Sequence, residues 1–283
     1  MRKGMAMVSK EHMRIFEIKD RMLLKANDFI CMLPHPYLRA YVSNYNITFP
    51  TKSLMSDNFT VMPCGCATIS VEKGSSGLNV DLHGPITKSY TVGSQANQLE
   101  MMVSIEFKPS GLYAFVGTYQ SELTDRTFAL ETLDKTFSRL ISETVEKSDN
   151  INDLVIGLDS LLLTNMRIAY RPELMMALDE IKKSIGNITV KQLSGNANYS
   201  ERQLNRIFNQ FVGSSTKSFS RLIRINSTFR MLKKHNYSLT YISDVAGFHD
   251  LSHFIHDFKL VCGVTPQEYR DNMSDFYNNT IRF

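Results

Sequence analysis

Residues 1 to about 130 are dominated by short stretches in which apolar and polar side chains alternate. The clearest are residues 41–49, 67–71, 78–82 and 101–107. A period of two places successive side chains on opposite faces, which is typical of a half-buried β-strand. Clusters of Gly, Pro and Ser separate these stretches, as turns between strands would. The pattern predicts an N-terminal β domain folded as a barrel or a sandwich.

The spacing of apolar positions becomes helical near Leu133. Apolar side chains recur every three to four residues over 133–145 and again over 154–162, with a polar break at 147–150. This spacing predicts a helical hairpin that connects the β domain to the rest of the chain. Such a hairpin can pack on the β domain or on its copy in a second subunit.

The C-terminal region, residues 171–272, predicts an all-α domain with clear helix boundaries. Ser200 is followed by Gln203 at capping-box spacing, which begins a helix, and Gly213 has the position of a helix stop. The predicted helices form two similar units, each a short helix, a polar turn and a second amphipathic helix. One long helix, residues 216–234, joins the units. We interpret them as two helix-turn-helix modules.

The second helix of the first unit, predicted over residues 200–211, has one apolar face and one polar face. The polar face carries Arg202, Asn205 and Arg206. In the major groove, Arg pairs with guanine and Asn with adenine through two hydrogen bonds each. The long helix between the units would be about 28 Å long, close to the ~34 Å between successive major-groove faces. The pattern therefore predicts that the two units read adjacent turns of DNA.

The distribution of charge supports DNA binding. Residues 172–270 carry 13 basic and 8 acidic side chains, a net charge of +5, whereas the remainder has a net charge of −1. A basic excess on the helical region suits phosphate binding. The alternative for charged residues of the long helix is that they are simply solvated. The residues predicted to contact phosphates are Lys191, Ser200, Arg221, Arg224 and Lys259.

A set of residues in the helical region keeps a recognisable order and spacing. It comprises Ser200, Leu204, Arg206, Phe208, Gly213, Phe219, Arg224, Leu232, Ile242, Gly247, Phe248, His253, Phe254, Phe258, Lys259, Gly263, Val264, Pro266, Tyr269 and Arg270. In these positions the region resembles the DNA-binding domain of the AraC/XylS family of bacterial transcription regulators. The resemblance implies seven helices and two helix-turn-helix units in adjacent major grooves. By position, it assigns base contacts to Arg202, Asn205 and Arg206 and, in the second unit, to Leu251, Ser252, Ile255 and His256.

The sequence departs from the family pattern at several positions. Ser194 and Ser243 stand where the family usually has Ala, and so does Thr228 on the long helix. The second recognition helix is also poor in cations, because His256 stands where Arg is common. We therefore expect the first unit to carry most of the base specificity.

The N-terminal region has a resemblance of its own. Its motifs at residues 36–38, 63–66, 84–85 and 107–111 resemble the β-rich sensor domain attached to many AraC-type regulators. This resemblance implies a cupin-like barrel and leaves the effector unknown. The β domain then binds a small-molecule effector, binds a protein partner or only dimerises, and the sequence leaves these alternatives open.

Enzyme chemistry has little support in the sequence. The chain has no Gly-rich phosphate loop, no GxSxG and no HExxH motif. A cupin-type metal enzyme fused to the DNA-binding domain is the main alternative, but the β domain offers only His12, His35 and His83, scattered and without an HxH pair. Cys64-Gly65-Cys66 favours the buried start of a strand over a metal or redox pair. We expect no catalytic residue, no metal and no cofactor.

The composition indicates the cellular compartment in which the protein is expected. No apolar run approaches the ~18 residues that a membrane span needs, so we expect no membrane partner. Four cysteines in a chain of 283 residues do not make a disulfide framework. Together with DNA binding, these features predict a cytoplasmic protein.

The predicted architecture is α+β. It consists of a β-barrel or cupin-like domain at 1–130, a helical connector at 131–170, a double helix-turn-helix domain at 171–272 and a flexible tail at 273–283. The predicted function is that of a transcription regulator that reads two adjacent major-groove segments of double-stranded promoter DNA. The family resemblance favours activation over repression and RNA polymerase as a partner, with a homodimer as one open arrangement.

Overall fold

The protein has an N-terminal domain built on two sheets, the larger of which is antiparallel, and a C-terminal domain of helices. The computed structural model describes residues 7–14, 17–52, 54–167, 171–234, 236–273 and 276–277. The expected α+β class, with a β-rich N-terminal part and helix-turn-helix units at the C-terminal end, is confirmed. Within the described ranges, no helix is both long enough and apolar enough to cross a membrane.

The larger sheet has seven antiparallel strands in the order β1-β2-β3-β8-β5-β6-β9. These strands are β1 (Met22–Lys25), β2 (Phe29–Met32), β3 (Val42–Thr48), β5 (Thr68–Gly74), β6 (Gly77–His83), β8 (Met101–Phe107) and β9 (Thr127–Ala129). A smaller sheet contains β4 (Thr60–Val61), β7 (Tyr90–Thr91) and β10 (Phe276–Tyr277) in the order β10-β4-β7. The closure of the sheet into a cupin-like barrel stays a prediction.

One face of the larger sheet forms the core of the N-terminal domain. Tyr45 pairs with Ile105 and Ile47 with Val103 across β3 and β8, and all four side chains are fully buried. They pack with two helices, α3 (Lys135–Glu146) and α4 (Ile151–Asn165), in one apolar cluster. The predicted helical hairpin therefore shares a core with the sheet of its own chain.

The opposite face of the sheet buries polar side chains instead. The alternation of the strands places Asn44, Asn46 and Glu106 there, each almost fully buried. The Asn44 and Asn46 amides donate to the two carboxylate oxygens of Glu106 over 2.9 and 2.6 Å. These hydrogen bonds offset part of the cost of removing the carboxylate from water.

Two short helices, α1 (Tyr113–Val116) and α2 (Gln120–Leu123), follow β8, and seven more form the C-terminal domain. The seven, within the described residues, are α5 (Pro172–Lys183), α6 (Val190–Asn196), α7 (Glu201–Val212), α8 (Thr216–Leu232), α9 (Leu239–Val245), α10 (Leu251–Cys262) and α11 (Pro266–Asp271). The predicted capping box at Ser200 is present, and Gly213 ends α7 in the left-handed conformation that glycine tolerates best.

The domain boundaries at residues 130, 170 and 272 stay predictions. In the predicted flexible tail, 273–283, two residues form β10 beside β4 of the N-terminal domain. Residues 274–275 and 278–283 lie outside the described residues.

Candidate nucleic-acid interface

The two predicted recognition helices, α7 and α10, are structural equivalents. Each has 12 residues, starts after a capping side chain and ends at a left-handed glycine. Ser200 caps α7 by accepting from Gln203 N, and Asp250 caps α10 by accepting from His253 N. Their buried and exposed positions also follow almost the same order along both helices. The two helices therefore present corresponding faces to solvent.

The exposed face of α7 carries the arginines predicted to read bases. Arg202 and Arg206 are both exposed and lie one helical turn apart. On the other face, Leu204, Ile207 and Phe208 are buried in the core of the C-terminal domain. Burial of this apolar face directs both guanidinium groups outward, so α7 can place two cationic hydrogen-bond donors in a major groove.

Asn205 is half-buried, and its side chain has a structural contact. Its Oδ1 accepts a hydrogen bond from Thr216 N, the first residue of α8, over 3.1 Å. A two-bond contact with adenine uses both the oxygen and the nitrogen of an Asn amide. Such a contact would therefore require Asn205 to release the start of α8.

The face of α10 is less basic than that of α7. Ser252 and His256 are exposed, whereas Leu251 and Ile255 are half-buried. This helix therefore offers one imidazole, one hydroxyl and two apolar side chains where the first unit offers two arginines. Van der Waals contacts, for example with thymine methyl groups, suit these side chains better than bidentate base pairing.

The burial of Asp257 and its contacts are features that sequence reasoning missed. Its carboxylate is only 4% exposed and lies at the position that the buried Ile207 has in α7. It pairs with Arg221 Nε at 3.2 Å and lies 3.3 Å from His253 Nε2 and 3.6 Å from His256 Nδ1. The sequence did carry a signal for these contacts: an acidic residue stands in the second unit where the first unit has an apolar one. Asp257 offsets positive charge beside the second reading face.

The residues predicted to contact phosphates differ in how exposed their side chains are and in whether those side chains already have partners within the protein. Lys191 and Lys259 are exposed, and so is the capping residue Ser200. Arg221 is half-buried against Asp257. Arg224 Nη2 donates to Gly186 O over 2.7 Å, and its guanidinium lies over the Phe248 ring.

Arg224 therefore joins α8 to the loop before α6 and to the turn before α10. Burial also lowers the pKa of its guanidinium. Lys191, Ser200 and Lys259 are the better placed of the predicted phosphate contacts, because their exposed positions need no internal contact to be broken except the cap at Ser200.

The departures from the family pattern are accommodated by hydrogen bonds. Ser194, Ser243 and Thr228 are all buried. Their hydroxyls donate to the carbonyls of Lys191, Asp250 and Ile225, respectively. Each polar group thus has a partner, as burial requires.

The histidines and cysteines that the structure describes are not arranged as a metal centre. Within the described parts of the chain, no group of three or more His, Cys, Asp or Glu side chains is placed to hold a metal ion. Cys64 and Cys66 are free thiols whose sulfurs each contact the other's carbonyl. The hydrogen bond with Cys64, together with burial, raises the pKa of Cys66 well above its ordinary value. Cys66 is therefore held as a thiol.

Comparison with known proteins gives the following matches. A family model described as a helix-turn-helix domain matches residues 193–272, and a domain of unknown function (DUF6597) matches residues 31–129. The uncharacterized HTH-type transcriptional regulator YobQ of Bacillus subtilis is 29% identical over 86 residues, 30% of this chain and 36% of YobQ. The transcriptional activator NphR of Rhodococcus sp. is 28% identical over 115 residues, 40% of this chain and 34% of NphR. The matched segments span about a third of the length of these relatives.

Among solved structures, the chain is similar to the C-terminal domain of AraT, a response regulator from Geobacillus stearothermophilus. The match has 25% identity and a TM-score of 0.34, and it covers 36% of this chain and 85% of that one.

Proposed function

We propose, from the AraC-type helix-turn-helix domain that forms the C-terminal part of this chain, that the protein is a transcription regulator that binds promoter DNA sequence-specifically. The observation that carries the proposal is the equivalence of α7 and α10. Two helices of the same length, each with a side-chain N-cap, a left-handed glycine at its end and nearly the same exposed positions, are joined by the 17-residue helix α8. This arrangement suits a protein that inserts two helices into neighbouring major-groove segments.

The two units have unequal roles in this proposal. Arg202 and Arg206 make the main base contacts, and Asn205 contributes through its amide nitrogen while its oxygen holds Thr216. In the second unit, Leu251, Ser252, Ile255 and His256 make weaker, largely van der Waals contacts. Lys191, Ser200 and Lys259 bind phosphates.

The proposal also covers the partners of the whole protein. Activation through RNA polymerase fits the name of the relative NphR, a transcriptional activator. The N-terminal domain carries the regulatory input, as an effector site, a protein-binding site or a dimer contact, and no catalytic activity is assigned to the chain.

Selection from random duplexes tests the proposal. The full-length protein is incubated with a pool of random double-stranded DNA, and the bound duplexes are amplified and sequenced. We expect enrichment of a bipartite sequence whose two parts lie about one helical turn apart. The selected duplex should bind roughly a thousandfold more tightly than a scrambled duplex at the same salt concentration.

Arg202→Ala/Arg206→Ala is the diagnostic variant, since both side chains are exposed and the substitutions leave the core intact. It should lose most of this discrimination. Arg139→Ala, which removes an exposed arginine from α3, is the matched control and should bind like the wild type. Failure of the wild-type protein to enrich any sequence would overturn the proposal.

A further inference from the structure

The N-terminal domain touches the ends of both recognition helices. At the end of α7, Thr124 Oγ1 lies 2.9 Å from Gly213 O and equally far from Gln120 O, four residues earlier in its own chain segment. At the end of α10, Ser89 Oγ donates to Cys262 O over 2.7 Å. Gly213 and Gly263 are the equivalent stop residues of the two helices. The same domain therefore holds equivalent points of both units.

A single short segment, residues 85–89, runs from beside Gly213 to the contact that Ser89 makes with Cys262 O. We call it the strap. A Cβ added to Gly213 would lie 3.2 Å from Pro85 Cγ and 2.2 Å from Thr124 Oγ1. A Cβ added to Gly263 would lie 3.0 Å from Ser89 Oγ. Thr124 and the strap thus fit so closely around Gly213 that a larger residue there would require displacement, chiefly of Thr124.

The strap is fixed to the N-terminal domain on both sides. On one side, Ile86 O accepts from Gly65 N over 2.8 Å, and Ile86 N donates to Cys66 O over 3.3 Å. On the other side, the Asp125 carboxylate accepts from Thr87 N and from Thr87 Oγ1, over 2.7 and 2.6 Å. Because the strap is held on both sides, Ser89 cannot move relative to Pro85 unless the hydrogen bonds of Ile86 or Thr87 break.

A third contact lies on the helix that joins the units. Asn226 Nδ2, on α8, donates to Pro63 O over 3.1 Å. Gly65 approaches α8 so closely that a Cβ there would lie 2.7 Å from Leu222 Cδ2. The segment that anchors the strap is thus also seated on the linker helix, and the N-terminal domain contacts α7, α8 and α10.

These contacts leave the predicted reading face of the first unit exposed. The contacts with the recognition helices involve the C-terminal ends of α7 and α10, whereas Arg202 and Arg206 lie in the first half of α7 and are exposed. The docked N-terminal domain therefore restrains the recognition helices from behind without covering these arginines.

We propose that the strap, with Thr124, sets the separation and relative orientation of the two recognition helices and so determines the half-site spacing that the protein reads. This inference rests on the proposed function. Changing the spacing by one base pair moves a half-site by about 3.4 Å along the DNA and rotates it by roughly 35° about the helix axis. The contact of Ser89, in the anchored strap, with Cys262 O at 2.7 Å and the contact of Thr124 with Gly213 O at 2.9 Å cannot both persist through such a shift.

The test compares spacing preference in full-length proteins. The probes are the duplex selected by the wild type and versions with one base pair inserted or deleted between its two parts. The wild type should lose at least about tenfold in affinity on either altered duplex, the size of effect that a poorly placed half-site can produce. Ser89→Ala/Thr124→Val removes both contacts to the recognition helices. On the altered duplexes, this variant should lose clearly less affinity than the wild type does. Its affinity for the original duplex should stay within a few-fold of the wild-type value.

A matched control is Ser184→Ala/Thr144→Val. Both residues are half-buried, like Ser89 and Thr124, and their hydroxyls donate to the carbonyls of Ile181 and Leu140, three and four residues earlier, rather than to a recognition helix. This control should keep the wild-type spacing preference. Asp125→Asn is a second variant, which loosens the strap while both helix contacts remain, and it should give an intermediate preference.

The outcomes separate the two ideas. If the wild type selects a bipartite sequence but the folded Ser89→Ala/Thr124→Val and Asp125→Asn variants keep its spacing preference, the strap inference is overturned and the proposed function stands. If the Ser89→Ala/Thr124→Val variant does not fold, the spacing preference of Asp125→Asn alone decides: an unchanged preference overturns the strap inference. If the wild type selects no sequence, the proposed function itself fails.

Discussion

Arg206 and His256 occupy equivalent positions on the two recognition helices but have different surroundings. Arg206 is exposed on the polar face of α7. His256 is also exposed, but its Nδ1 lies 3.6 Å from the buried carboxylate of Asp257. A protonated His256 would share that carboxylate with Arg221. The first unit therefore has the stronger hydrogen-bond donor for a base.

Alanine substitution should reveal this difference. Arg206→Ala should weaken binding to the selected duplex by roughly 5- to 150-fold, the equivalent of losing a bidentate contact. His256→Ala should weaken it by much less. Fluorescence anisotropy titration at one fixed salt concentration measures both, with a scrambled duplex as the control for non-specific binding. Equal losses in the two variants would contradict the asymmetry.

Single residues also show where prediction from sequence stops. Helical spacing was sufficient to place Arg202 and Arg206 on an exposed face. It could not reveal that Asn205 holds Thr216 N or that Arg224 holds Gly186 O, because both partners come from other elements. The ion pair of Asp257 was missed for the same reason, since its partner Arg221 lies on α8. Periodicity predicts the direction of a side chain but not its tertiary contacts.

At the scale of elements, the start of α10 depends on an acidic cap. Asp250 Oδ1 accepts from His253 N over 2.7 Å, and His249 Nδ1 lies 3.0 Å from Oδ2. The backbone hydrogen bond from His253, followed by the contact with His249, lowers the pKa of Asp250. A carboxylate also interacts favourably with the positive end of a helix dipole.

This cap should make the stability of α10 depend on acidity. A lowered pKa in the folded state stabilises the protein above the unfolded pKa, near 3.9, and the effect is lost as pH falls through the folded value. Asn keeps the capping geometry but has no charge. Asp250→Asn should therefore lower the urea midpoint of the C-terminal domain at pH 7, and the difference from the wild type should shrink below about pH 4.

The midpoint is measured by circular dichroism across this pH range. Asp149→Asn, at an exposed position between α3 and α4, is the control for the loss of one carboxylate. A difference between wild type and Asp250→Asn that stays constant from pH 7 to pH 3 would show that the charge of the cap contributes nothing.

Elements with local signals were the predictable ones. The helix that follows Ser200 was located by its capping box and by its glycine stop, both of which are local in sequence. The smaller sheet was not predicted, since β4 and β7 have two residues each and exist by pairing with distant strands. The order β3-β8-β5 in the larger sheet also depends on pairing between segments far apart in the chain. Alternation predicts a strand but not its neighbours.

At the scale of the whole molecule, the two domains share apolar contacts as well as the strap. Met62 of the N-terminal domain belongs to the core cluster of the C-terminal domain. Tyr113, after β8, contacts the Phe211 ring edge-on with centroids 4.9 Å apart, and Tyr119 does so at 5.7 Å. No sequence pattern predicted this surface, because each of these residues also fits the interior of its own domain.

The shared contacts should couple the unfolding of the two domains. Tyr113 is half-buried between Tyr119, on which it stacks, and Phe211 at the end of α7. Aromatic pairs of this kind contribute about 0.5–1.5 kcal/mol each beyond the area they bury. Tyr113→Ala removes one pair within the N-terminal domain and one pair to α7, so the coupling between the two domains should weaken. In calorimetry, the unfolding transition should broaden or split, and hydrogen exchange should accelerate in α7 more than in β3 and β8. Tyr37→Ala, at a ring that is 78% exposed, is the control and should leave both readouts unchanged. If Tyr113→Ala instead lowers one sharp transition and accelerates exchange equally in both domains, Tyr113 supports the core of its own domain and not the contact between them.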